Sequence, residues 1–166
     1  MTNDFLTAES GAFGLVDALL QQGSTVAFAE SLTAGLASAA VGGVPGASAV
    51  LRGGIVVYAT DVKATLGDVP AESLRVHGAV SEITAGHLAA SARRLLGADW
   101  GVSFTGVAGP DEQEGHPAGT VFVGIEGPTT GRVLKLSLTG DRWAIRLASV
   151  TAAFKGLVTE LDRLRV

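Results

Sequence analysis

Cysteine is absent from the 166-residue chain. That excludes disulfides, a thiol nucleophile and thiolate metal sites, and it fits a reducing compartment. Lysine is scarce, with only Lys63, Lys135 and Lys155, and Tyr58 is the single tyrosine. No basic run occurs, and sixteen acidic against twelve basic residues give a net charge of −4. Nucleic-acid binding therefore has no electrostatic support. Leu32 to Leu51 carries no charge, but it is mostly Ala, Gly and Ser and is broken by Gly42-Gly43-Val44-Pro45-Gly46. It reads as a small-residue helix, a turn and a lead-in to a strand, not as a membrane span. Met1-Thr2-Asn3-Asp4 lacks the basic start of a secretory signal. The expectation is a soluble, cytoplasmic protein with no membrane partner.

Familiar catalytic signatures are missing too. There is no phosphate loop, no Gly-x-Gly-x-x-Gly after a strand, no His-Glu-x-x-His and no Gly-x-Ser-x-Gly elbow. His77, His87 and His116 are scattered. His116 with Asp111, Glu112 and Glu114 reads as an acidic loop tip in solvent rather than a metal site. No metal and no cofactor is called for.

What is present describes one globular domain over residues 1–166, since 47% of residues are apolar and 17% charged. A first helix is predicted over Thr7–Gln21, with Phe13, Val16 and Leu20 on one face and Gly23 as its stop. Buried strands are predicted at Thr25–Ala29, Ile55–Tyr58, Trp100–Thr105 and Thr120–Ile125. Short helical stretches follow Tyr58 and Pro70, and a better helix opens at Ser81-Glu82 and ends at Leu96. Val133–Leu138 alternates, as a half-exposed antiparallel strand does. Trp143, Leu147, Val150, Phe154, Leu157 and Leu161 trace one stripe of a long last helix. Gly156 within it suggests that a neighbour approaches closely. The fold class is therefore α/β, layered, with a mixed sheet.

The chain is organised around Val26-Ala27-Phe28-Ala29-Glu30-Ser31-Leu32-Thr33-Ala34-Gly35. A buried strand stops at a carboxylate and a hydroxyl, and a helix is predicted over Leu32–Ala40. Ligands of open α/β sheets bind beyond the carboxyl ends of strands. Ser31 sits at that junction, either as a helix N-cap or as a nucleophile. Without a histidine partner a serine needs another base, and lysine is the known substitute. Lys63 lies just beyond the second strand and can reach the same sheet edge, with Tyr58 leaving that strand five residues earlier. To act near neutral pH the lysine needs a lowered pKa, which would require desolvation or a neighbouring positive dipole.

Several blocks together resemble the CinA C-terminal domain family, the competence/damage-inducible proteins. They are Ala29–Gly35, Tyr58 with Lys63, Gly78-Ala79-Val80-Ser81, Ser103–Pro110, Pro117–Val121 and Gly140-Asp141-Arg142. Any one is weak, but six in order are specific. The resemblance implies a three-layer α/β/α fold in a stand-alone form. It also implies nicotinamide-nucleotide amidohydrolysis, which turns nicotinamide mononucleotide into the nicotinic acid form and ammonia. Carried over by motif, Ser31 is the nucleophile, Lys63 its base and Tyr58 an assistant. Glu30, Thr33, Gly35, Ser103, Thr105, Gly106, Gly109 and Arg142 form the substrate-binding set. Backbone N–H groups at the start of the helix after Ser31 would hold the oxyanion, and Arg142 or Arg146 would meet the phosphate.

Two departures mark this chain. Ala34 replaces the glycine common in the first block. Asp111–His116 lacks the family's usual Gly-Gly and lysine, which bears on substrate fit. The partner implied is a pyridine mononucleotide, and a homo-oligomer is left open. The alternative reading is a non-catalytic nucleotide-binding or competence-associated interaction protein.

Overall fold

The first structural consequence of the sequence is a stripe of missing side chains. Ala27 and Ala29 of β1 (Val26–Glu30), Gly101 and Ser103 of β3 (Trp100–Gly106) and Gly124 of β4 (Thr120–Glu126) line one face of the sheet. Helix α6 (Glu82–Leu95) lies close against them. A Cβ at Gly101 would stand 2.0 Å from the Ala89 carbonyl oxygen, and one at Gly124 would stand 2.4 Å from that of Ala85. The opposite face carries Phe28, Val102, Phe104, Val121, Val123 and Ile125, which form the main core. Against that core pack α1 (Phe5–Ser10), α2 (Ala12–Gln22), α3 (Leu36–Gly42) and α7 (Arg142–Arg163). Two layers of helix thus cover one sheet, because both of its faces are apolar.

This computed structural model describes residues 4–164. Met1–Asn3, part of the segment read for a leader, and Arg165–Val166 lie outside them. The sheet runs β2-β1-β3-β4-β5, with β2 at Leu51–Val56 and β5 at Gly131–Ser137. β1 is parallel to both β2 and β3, whereas β3–β4 and β4–β5 are antiparallel. The expected α/β/α sandwich with a mixed sheet is what the chain forms. Short helices α4 (Thr60–Thr65) and α5 (Ala71–His77) complete the α6 side. Among the described residues no helix is long and apolar enough to cross a membrane.

Three local expectations are corrected. The first helix is two, broken at Gly11, whose φ of +80° ends α1 and opens α2. The buried face of α2 is Ala12, Leu15, Val16, Ala18 and Leu19, while Phe13 and Leu20 are exposed. The second strand begins earlier, at Leu51, and alternates between half-buried and exposed along the edge of the sheet. In α7 the stripe holds from Val150 to Leu161, but Trp143 is 44% exposed and Ile145 takes the inward position. Gly156 does mark a close approach. A Cβ there would stand 2.9 Å from Ile125 Cδ1 and 3.0 Å from Leu134 Cδ1.

Candidate active site

β1 does not stop cleanly at Glu30. Ser31 extends the pairing by one residue, its N–H donating to the Phe104 carbonyl at 3.0 Å. The chain then turns, and the Ala34 N–H returns to the Ser31 carbonyl at 3.0 Å. Ala34 and Gly35 both lie in the left-handed region, with φ of +48° and +94°. α3 therefore begins only at Leu36, and the expected helix from Leu32 is corrected.

Glu30 supplies the cap that Ser31 was expected to give. Its buried carboxylate accepts the N–H groups of Gly35 and Ala37, each at 3.0 Å, and that of Ser38 at 2.9 Å. It also accepts the Ser38 hydroxyl at 2.7 Å. A buried carboxylate needs this many donors, and unsatisfied N–H groups at a helix start need an acceptor. Ser31 is thereby released from capping. The α3 N–H groups expected to hold an oxyanion are already taken, and neither Glu30 nor Gly35 lines the cleft that Ser31 opens into.

A cation holds the other side of the same loop. The Arg146 guanidinium donates to the Leu32 carbonyl at 2.9 Å and to the Thr33 carbonyl at 2.8 Å. Arg146 is thus committed to the loop, not free to meet a phosphate. Thr33 is fully buried, with no partner for its hydroxyl among the described residues. Ser103 is buried too, its hydroxyl donating to the Ala85 carbonyl at 2.6 Å under α6. These two residues lie outside the cleft.

Lys63 comes to Ser31 from α4. Its Nζ lies 2.9 Å from Ser31 Oγ, 2.9 Å from the Val57 carbonyl and 3.1 Å from the Tyr58 carbonyl. Carbonyls can only accept, so a neutral amine spends both N–H bonds on them and turns its lone pair to the serine hydroxyl. Only 2% of Lys63 is exposed. Burial lowers its pKa from 10.5 to about 8, with the Glu114 carboxylate pulling the other way. It is the Tyr58 carbonyl, not its phenol, that orients the amine; the residue is 58% exposed.

These groups open into a cleft of about 260 Å³ beyond the carboxyl ends of β1 and β3. Ser31, Tyr58, Lys63, Thr105, Gly106, Gly109 and Arg142 all line it. The Thr105 hydroxyl donates to the Ala79 carbonyl at 2.6 Å, and Arg142 donates to the Gly109 carbonyl. Gly106 admits no side chain, since a Cβ would meet the Thr120 carbonyl at 2.5 Å. Sequence reasoning missed the Glu30 cap, the Arg146 clamp and Glu114. Only an acidic residue followed by glycine in a long loop hinted at the last.

Residues 9–161 match the CinA C-terminal domain. The chain belongs to that family. A competence-damage inducible protein of Streptococcus pneumoniae is 46% identical over 141 residues. The match covers 84% of this chain, which spans about a third, 34%, of that relative's length. A CinA superfamily protein from Klebsiella pneumoniae superposes with a TM-score of 0.90 at 30% identity, covering 93% of this chain and 98% of its own. A competence/damage inducible protein from Agrobacterium tumefaciens gives 0.86 at 33% identity, covering 94% and 96%. The CinA fold thus accounts for nearly the whole chain.

Proposed function

We propose that this CinA domain hydrolyses the carboxamide of nicotinamide mononucleotide, giving nicotinic acid mononucleotide and ammonia. The observation that carries the reading is Lys63 Nζ at 2.9 Å from Ser31 Oγ in a cleft, with its two remaining partners both carbonyls. Ser31 Oγ attacks the carboxamide carbon and its proton passes to Lys63 Nζ. The C–N bond then breaks as Lys63 returns that proton to the leaving nitrogen, which departs as ammonia. Water attacks the acyl-enzyme, gives its proton to Lys63, and the acid leaves as Ser31 recovers its hydrogen.

The oxyanion needs donors outside α3. The Leu32 N–H directly follows the nucleophile, the position used in other serine sites of strand–turn–helix type. A single such donor is worth roughly 10²–10³ in rate. Arg142 is the cleft-lining cation suited to the nucleotide phosphate, because Arg146 is bound to the loop. Incubating the purified chain with nicotinamide mononucleotide and measuring ammonia and the acid product tests the reading. Equal amounts of both support it. Binding of the nucleotide with neither product formed would replace hydrolysis by a nucleotide-binding role.

A further inference from the structure

The β3–β4 connection lines the cleft from Gly109 to Gln113. Its tip is a tight turn in which the Gln113 and His116 N–H groups donate to each other's carbonyls, at 3.0 and 2.9 Å. Glu114 and Gly115 at the tip both have positive φ, +53° and +76°. That conformation is costly for a glutamate, and it is matched by what the side chain does. The Glu114 carboxylate accepts the N–H groups of Ala79 at 3.1 Å and Val80 at 2.9 Å. Its seat is cut for it: Gly78 has φ +81°, and a Cβ there would stand 2.5 Å from Glu114 Oε2. The base of the loop is tied down by the His116 ring, edge-on to Phe122 at 6.2 Å.

We infer that Glu114 is a positioning residue that latches together the two walls of the cleft in which Lys63 lies. One wall is Asp111–Gln113 on its own loop, and the other is Ala79-Val80 ahead of α6. Glu114 spans the gap between them. The inference rests on the amidase reading only for its kinetic consequences.

The groups facing Lys63 divide clearly. Glu30 is spent on α3, Asp61 shares α4 with Lys63, and Tyr58 offers its carbonyl. Asp111, Glu112 and Arg142 line the cleft itself. Glu114 is the carboxylate that holds the Lys63 proton against the loss that burial promotes. Removing its charge must therefore make Lys63 give up its proton at lower pH.

The test uses Glu114→Gln and Glu114→Asp in the full chain, with two readouts. One is the NMR titration of the Lys63 side chain, which needs no substrate and is assignable among three lysines. The other is the pH profile of kcat/KM for nicotinamide mononucleotide, together with KM. Glu114→Gln moves the Lys63 titration and the acid limb of the profile to lower pH, and raises KM several-fold because an amide cannot accept both N–H groups as a carboxylate does. Glu114→Asp keeps the charge but is one methylene short, so the titration stays near that of the natural chain while KM rises. An unchanged KM in Glu114→Gln overturns the inference. So does a loss of kcat and kcat/KM by one factor with no displacement of the limb. Displacement of the titration in a chain that releases no ammonia supports Glu114 and removes the amidase reading instead.

Discussion

Lys63 Nζ and Ser31 Oγ meet at 2.9 Å although they come from different elements, one from α4 and one from the turn after β1. Their approach is fixed by the sheet, because the Val57 N–H donates to the Glu30 carbonyl at 2.8 Å and so ties the two strand ends together. Lys63→Arg in this setting keeps a charge but cannot accept the serine proton, since guanidinium stays protonated. Ammonia release from nicotinamide mononucleotide is expected to fall nearly to the level of Lys63→Ala. A rate near that of the natural chain would make Lys63 a charge and not a base.

Burial sets the pH behaviour of this amine. With its pKa lowered to about 8, kcat/KM rises with pH as Lys63 loses its proton, giving an acid limb near that value. Stability follows the same group. Between about 8 and 10.5 the unfolded chain holds a proton that the native chain has released, so stability rises with pH across that window. The unfavourable contribution is full below it and gone above it. Denaturant midpoints at about pH 7.5 and about pH 10 measure the rise, and Lys63→Met should reduce it. An equal rise in both chains would contradict the lowered pKa.

Arg146 grips the Leu32 and Thr33 carbonyls, so its loss is expected to misplace the nucleophile rather than weaken nucleotide binding. Misplacement by about 1 Å can cost on the order of 10²-fold in rate. Arg146→Met should lower kcat with little change in KM. A raised KM with kcat kept would return Arg146 to the phosphate.

The same loop carries a conformational cost that glycine removes. Ala34 has φ +48°, where an L-residue is strained by roughly 1–2 kcal/mol. Ala34→Gly is expected to raise stability by about 1 kcal/mol, less what glycine adds to the freedom of the unfolded chain. Urea denaturation measures it, and a loss of stability would show that the strain is relieved elsewhere.

Much of this was legible in the sequence, in identifiable ways. β-branched and apolar runs marked the inner strands, and the spacing from Phe154 to Leu161 marked α7, because burial imposes those periods. The Ser31–Lys63 pair could be named because lysine is rare here and both residues follow strands. The α3 start was not legible. Ser31-Leu32-Thr33-Ala34-Gly35 has the composition of a first turn, and only the reach of Glu30 to Gly35, Ala37 and Ser38 decides that the helix begins later. Glu114 was hidden for a similar reason, since its partners Ala79 and Val80 lie 35 and 34 residues away. The placement of Ser103 was not legible either, because a strand residue can face the cleft or α6, and its hydroxyl lies under α6.

The measurement that bears most directly on the account is ammonia release from nicotinamide mononucleotide by the natural chain and by Ser31→Ala. Ser31 caps no helix, and losing its hydrogen bond with Lys63 should cost about 1–3 kcal/mol, so the variant is expected to fold with a lowered denaturation midpoint. The account predicts steady release by the natural chain and near-complete loss in Ser31→Ala, with Ser31→Ala/Lys63→Ala little worse than either single change, because residues acting as one unit fail together. Release by folded Ser31→Ala at a rate close to that of the natural chain would contradict it.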